Sequence, residues 1–376
     1  MSSSTAPGLG QLLMTGVPGT VLDAETAAVF RRIQPGAYIL FGRNIESAEQ
    51  LRKLIDDLRE LSAEAGVEPI ITIDQEGGRV SRLKLLGAEP PNAVQLRDKV
   101  GNSGRFELIE RHGRITGDLL RLFGFNLDLC PVLDISFDDE ADNSLRGRCY
   151  GRSVEEVITK AGAFNDGLRS TGVLSCGKHF PGYAAAAVDA HHELPVIERS
   201  RAELDATELA IFHHFAPTVD SMMICHAWYP AIDAERTPAS LSERAIMGIL
   251  RGQHEFKGLI MTDDLDMGAI LNEYGLAETI RRALTAGNDV AMICHRLETV
   301  AEAYEVLQTL DRGVLDRALE NVAAFKAKMV PPTEFSLCAH AELDDEVRKL
   351  REDVLGKGEA DTRSPEDGKR SPVEVY

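Results

Sequence analysis

Four short clusters in the chain combine acidic and basic side chains with apolar runs, and these are the places where chemistry is to be sought. Asp74-Gln75-Glu76-Gly77-Gly78-Arg79-Val80 follows one run, Lys178-His179-Phe180-Pro181-Gly182 closes another, and Asp263-Asp264-Leu265-Asp266 follows a third. The fourth, Arg146-Gly147-Arg148-Cys149-Tyr150, lies between the first two. Carboxylates accept hydrogen bonds from hydroxyls, whereas Lys and Arg donate to ring and amide oxygens. The mixture suits a polyhydroxylated, uncharged ligand, and a sugar is the natural candidate. An isolated acid at a strand end more often caps the next helix, and that structural role is assigned to Asp264 and Asp266. His191, His192 and Glu193 are neighbours in sequence, so their side chains point apart, and no metal is assigned there. No cofactor is expected.

The elements that must position these clusters read as alternating strands and helices. Short apolar runs lie near Gln11 to Gly16, Ala37 to Phe41, Pro69 to Ile73, Asn126 to Leu133, Val173 to His179, Ser221 to His226, Leu259 to Thr262 and Val290 to Cys294. Between the second and third, Leu51, Leu54, Ile55, Leu58 and Leu61 recur at helical spacing, and Ser47 with Gln50 forms a capping box at the start. Ser153 with Glu156, and Ser200 with Glu203, repeat that start signal. About eight strands, most followed by helices, predict an α/β fold of the closed (β/α)8 TIM-barrel type, in which the chemistry sits at the C-terminal strand ends. A doubly wound open sheet is the alternative, but no GxGxxG follows the first strand to mark a dinucleotide site.

Bulk composition narrows the function further. The chain has 376 residues, 44% of them hydrophobic and 27% charged, with no apolar stretch of about 18 residues to span a bilayer. A formal charge of −19 repels phosphates, and no basic stripe offsets it, so neither a membrane nor a nucleic acid is an expected partner. The six cysteines are scattered with no metal-ligand spacing and read as free thiols, most of them buried. The first residues lack the basic and apolar segments of an export signal, which predicts a cytoplasmic location. A single barrel domain over residues 1–355 is expected, followed by a disordered tail over residues 356–376, rich in Pro, Gly and charge. The sequence leaves the oligomeric state open.

The clusters carry a family resemblance. The chain resembles glycoside hydrolase family 3, in its single-domain β-N-acetylglucosaminidase branch. Residues Ile249 to Asp263 match the family signature, in which the acid after Ser or Thr is the nucleophile. Ile73 to Val80 resembles the family's IDQEGGRV, and Lys178 to Gly182 its KHFPG, so three motifs stand in family order. The resemblance implies Asp263 as nucleophile and sugar-binding roles for Asp74, Arg82, Arg148, Lys178 and His179. In this branch an Asp-x-His pair supplies the acid/base, the histidine falling nine residues beyond KHFPG; Asp189-Ala190-His191 meets that spacing. Two-domain relatives use a glutamate from a second domain, for which this chain is expected to have no room.

By the same resemblance the chain is expected to be a retaining hydrolase that releases β-linked N-acetylglucosamine, acting on small carbohydrate or muropeptide substrates. One departure bears on this. Where the family reads KHFPGHG, a polar stretch and DSH, this chain has Tyr183-Ala184-Ala185-Ala186-Ala187-Val188 before Asp189-Ala190-His191, which should stiffen the segment and strip it of local side-chain hydrogen bonds. Two alternatives stay open: phosphate in place of water as acceptor, since a neutral histidine repels an anion less than a carboxylate does, and a non-catalytic sugar-binding protein.

Overall fold

A strand rich in Ile, Leu and Met needs a partner on each side for its backbone and apolar cover on each face, and closing a parallel sheet supplies both at once. The computed structural model describes residues 8–101, 103–139, 144–183 and 194–364, with the side chains of residues 268, 269 and 272 excepted. In it β1 (Leu13–Gly16), β2 (Ala37–Leu40), β3 (Ile70–Ile73), β6 (Leu127–Asp128), β7 (Leu174–Phe180), β8 (Ser221–Ile224), β9 (Leu259–Asp264) and β10 (Val290–Ile293) form a closed parallel barrel. Its order is β1-β10-β9-β8-β7-β6-β3-β2. All eight predicted runs are barrel strands, shorter than the apolar runs at several ends. A two-stranded antiparallel hairpin, β4 (Gln75–Gly77) and β5 (Val80–Ser81), stands on the barrel's C-terminal end and is not among the predicted elements.

The helices wrap the barrel: α1 (Ala24–Ile33), α2 (Ala48–Ala63), α3 (Ala93–Val100), α4 (Glu107–Phe123), α5 (Val154–Ser170), α6 (Arg201–Ala206), α7 (Glu208–Phe215), α8 (Gly268–Tyr274), α9 (Leu276–Ala286), α10 (Leu297–Leu307), α11 (Arg312–Lys326) and α12 (Leu337–Leu355). A segment of wide, π-type turns, Arg244–Gln253, precedes β9. The Ser47–Gln50 and Ser200–Glu203 capping boxes both form. At Ser153 the hydroxyl accepts from the Glu156 amide as expected, while the Glu156 carboxylate turns to the Arg152 amide instead. All six cysteines are unpaired, and five are buried. Among the described residues, no helix is long and apolar enough to cross a membrane.

The C-terminal stretch departs from expectation. Residues 356–364, counted with the tail on composition, pack back on α12 and on the loop before α3. The buried Arg351 guanidinium donates to the Glu359 carbonyl and the Thr362 hydroxyl, and the Ser364 amide and hydroxyl donate to the buried Glu89 carboxylate. Buried charge that must be satisfied supplies the order that apolar content could not. Residues 365–376 lie outside the described residues.

The tightest helix contact is α4 on α5, where a glycine from each lets the backbones meet. A Cβ on Gly167 would sit 2.0 Å from the Glu110 carbonyl oxygen, and one on Gly113 would sit 2.1 Å from that of Phe164. Gly162, also on α5, has nothing within 4 Å. Gly167→Ala should therefore cost about 1–3 kcal/mol of stability by forcing the helices apart, whereas Gly162→Ala should be neutral or stabilise by up to about 1 kcal/mol. Thermal melts of the two variants check this, and equal shifts would contradict it.

Candidate active site

Because the barrel strands are parallel, the ends of β3, β7 and β9 open on one rim, and the described side chains singled out for the site from the sequence converge there. Lys178, in β7, is almost fully buried, so its ammonium needs anionic partners. Its Nζ lies 2.6 Å from Asp74 Oδ1 and 2.7 Å from Glu76 Oε1. Glu76 is carried by the β4–β5 hairpin and also accepts two 2.7 Å bonds from Nε and Nη2 of Arg148. Arg82 adds a longer contact, Nη2 to Asp74 Oδ2 at 3.9 Å. The hairpin can turn here because Gly77 and Gly78 adopt φ of 101° and 57°, and a Cβ on Gly77 would lie 2.3 Å from the Pro91 carbonyl oxygen.

Burial alone would raise the Glu76 pKa, but the charges of Arg148 and Lys178 hold it far below the usual carboxylate range. The reverse applies to Lys178, which burial would depress and which Asp74 and Glu76 hold above its ordinary value. Asp128, at the end of β6, behaves differently: burial pushes its carboxyl well up, although it accepts the Gln75 amide. The rim thus holds compensated charges beside an acid whose burial disfavours its charged form.

His179 follows Lys178 and is oriented by Asp134, whose Oδ2 lies 2.7 Å from His179 Nδ1. Opposite a carboxylate, Nδ1 carries the proton, which fixes tautomer and ring direction. The same carboxylate accepts the amides of His179 and Tyr183, and the Tyr229 hydroxyl donates 2.6 Å to the Gly182 carbonyl. Asp134 and Tyr229 therefore pin the chain up to Tyr183, immediately before the segment that carries Asp189 and His191. Those two residues lie outside the described residues.

Asp263 is in β9, two strands from β7 around the barrel, and is half-buried. Its Oδ1 accepts the Asp264 amide at 2.8 Å. Asp264 and Asp266 have structural roles, but not the predicted helix caps. Asp264 Oδ1 accepts the amides of Asp266 and Cys294, and Asp266 takes a two-pronged contact from Arg296 plus the amides of His295 and Arg296. They tie β9 to the turn after β10, while α8 begins behind Met267 with no side-chain cap.

Of the residues nominated from sequence, Asp74, Arg82, Arg148 and Lys178 meet in one ion network, with His179 next to it on β7 and Asp263 across the same rim. Glu76 and Asp134 were missed. Glu76 stood inside a quoted motif, and its GlyGly follower hinted at a tight turn that would aim it back at Lys178. For Asp134, 45 residues from His179 in sequence, only its place just beyond an apolar run could have drawn notice.

Known proteins share this barrel. The profile of the glycosyl hydrolase family 3 N-terminal domain matches residues 6–325. The chain belongs to glycoside hydrolase family 3. It is similar to a β-hexosaminidase of Pseudomonas aeruginosa, 33% identical over 298 residues covering 79% of this chain and 86% of the relative. A β-hexosaminidase of Vibrio cholerae is 35% identical over 303 residues, covering 80% and 87%. Among solved structures, a family 3 β-N-acetylglucosaminidase from Paenibacillus superposes with a TM-score of 0.82 at 31% identity, over 92% of this chain and 68% of its own. NagZ from Neisseria gonorrhoeae superposes at 0.77 and 30% identity, over 90% and 97%. The chain is a glycoside hydrolase on a (β/α)8 barrel, as the resemblance implied.

Glu76 joins two buried cations, so Glu76→Gln should cost about 3–5 kcal/mol in a urea titration; a loss below about 1 kcal/mol would show that the network does not depend on that charge. Asp264 gives a pH signature. Burial, reinforced by Asp266, pushes its carboxyl up to about 7 from 3.8. The folded protein thus keeps a proton that the unfolded chain releases, so stability from this group is full below pH 3.8 and is lost as pH rises toward 7. Asp264→Asn should flatten the decline over that window by on the order of 3 kcal/mol. Unfolding free energies across the window check this, and parallel curves for variant and parent would contradict it.

Proposed function

We propose that this glycoside hydrolase releases terminal β-linked N-acetylglucosamine with net retention, through a covalent glycosyl intermediate on Asp263. The observation that carries the reading is the placement of Asp263 on the same rim as the Asp74–Lys178–Glu76–Arg148 network, which is rich in groups able to hold sugar hydroxyls and an amide. The solved β-N-acetylglucosaminidase from Paenibacillus and the two β-hexosaminidase relatives supply the sugar. Asp74, Arg82, Arg148, Lys178 and His179 are assigned to binding it.

The reaction runs in two displacements. An ionised Asp263 oxygen bonds to the anomeric carbon as the bond to the bridging oxygen breaks, and protonated His191 gives that oxygen its proton. Water then attacks the same carbon, neutral His191 takes the water's proton, and the bond to Asp263 breaks. Imidazole has an ordinary pKa of about 6.5, and a carboxylate from Asp189 beside it favours the imidazolium that the first step needs. The natural substrate class is muropeptide fragments, met in the cytoplasm.

A slowly hydrolysed fluorinated N-acetylglucosaminide, followed by peptide mass spectrometry, tests the nucleophile. The parent protein should carry the sugar on Asp263 and Asp263→Asn should carry none; an adduct on any other residue rejects the assignment.

A further inference from the structure

Glu76 is the joint of the sugar network, since its carboxylate meets both Lys178 and Arg148, and the turn that follows it sets where it points. That turn leans on a segment from further along the chain. The Gly78 amide donates 2.8 Å to the Pro90 carbonyl, and Gly77 stands so close to Pro91 that a Cβ there would lie 2.3 Å from its carbonyl oxygen. Pro90 and Pro91 are both buried. Two prolines in succession fix φ and bar the α region to the residue before each, so the segment behaves as a stiff strut.

The C-terminal part of the chain grips the other end of this strut. Asp344, on α12, accepts the Ala88 amide, and Arg351 donates 2.6 Å to the Glu89 carbonyl. The Glu89 carboxylate is buried, and its Oε1 accepts the Ser364 amide at 2.8 Å and the Ser364 hydroxyl at 2.6 Å. Lys84 Nζ and Arg351 Nη1 stand farther off, at 3.9 and 3.7 Å. A buried carboxylate needs donors in place of water, and Ser364 supplies two of them.

We propose that the C-terminal stretch positions the sugar network: Ser364, through Glu89 and the Pro90–Pro91 strut, sets the Gly77–Gly78 turn and with it the Glu76 carboxylate. This rests on the reading of that network as the sugar site. Glu76 must meet an ammonium and a guanidinium at once, each at 2.7 Å, and a shift of about 1 Å in the turn would take one of them out of hydrogen-bond range. Ser364 and Glu89 are positioning residues, acting on the sugar only through Glu76. Asp344, Arg351 and Ser364 lie beyond residue 325, where the family profile ends, so a network inside the matched region is held in place from outside it.

The test uses the full chain and two readouts, calorimetric binding of N-acetylglucosamine and amide hydrogen exchange in the β4–β5 hairpin, which contains the Gly78 amide. Ser364→Ala should weaken binding about fivefold, the size of one net hydrogen bond, and speed exchange in the hairpin. Ser364→Thr keeps the hydroxyl and should stay within about twofold of the parent. Glu89→Ala should weaken binding at least as much as Ser364→Ala, and combining the two should weaken it no further, because both remove the same link. Gly167→Ala loosens α4 and α5 instead and should leave both readouts unchanged, which separates positioning from a general loss of stability. Either readout unchanged in Ser364→Ala overturns the proposal, as do equal changes in Gly167→Ala. Should Glu89→Ala fail to fold, the two Ser364 variants decide. A parent that does not bind N-acetylglucosamine would refute the sugar assignment of the network, and hairpin exchange in Ser364→Ala would still decide whether the C-terminal stretch holds the turn.

Discussion

The barrel mouth is organised by one constraint, a lysine ammonium that has no access to water. Lys178 can remain charged only with Asp74 on one side and Glu76 on the other, and Glu76 in turn draws in Arg148. Each partner comes from a different part of the chain: the end of β3, the hairpin standing on it, and the loop that precedes α5. Satisfying one buried charge thus fixes the relative positions of three segments that no backbone ladder connects. The resulting surface is close to neutral yet dense in donors and acceptors, which suits a sugar better than an ion.

Across the rim the electrostatic arrangement is opposite. Asp263, Asp264 and Asp266 fall within four residues, and three neighbouring carboxylates could not all ionise cheaply at the mouth of a barrel. The structure resolves this by distributing their roles. Asp266 is neutralised by Arg296, Asp264 is buried and retains its proton to about neutral pH, and Asp263 is the least buried of the three. The acid left most accessible at the barrel mouth is therefore the one to which the proposed chemistry assigns the nucleophile.

Much of this was legible in the sequence because it is local. Barrel strands such as Ile70–Ile73 and Val290–Ile293 are short apolar runs between turn residues, and the Ser47–Gln50 box marks its helix within four positions. What stayed hidden depends on pairs distant in sequence. Glu76 finds Arg148 across 72 residues, His179 finds Asp134 across 45, and the stretch after Gly356 is ordered by Glu89, whose bond to Ser364 spans 275. Composition reads that last stretch as too polar to fold, since it measures apolar content and is blind to a buried carboxylate waiting for donors. The hairpin escaped for a related reason: GluGlyGlyArg reads as a loop until Gln75 and Ser81 are seen to pair.

Whether the charge network around Lys178 holds a sugar with its anomeric carbon facing Asp263 is decided by a crystal structure of the Asp263→Asn variant with an intact β-N-acetylglucosaminide. Sugar hydroxyls should lie on Asp74, Arg148, Lys178 and His179, with the anomeric carbon about 3–3.5 Å from the side chain at position 263. A sugar bound elsewhere on the barrel, or bound to the network with that carbon turned away from β9, would contradict this arrangement.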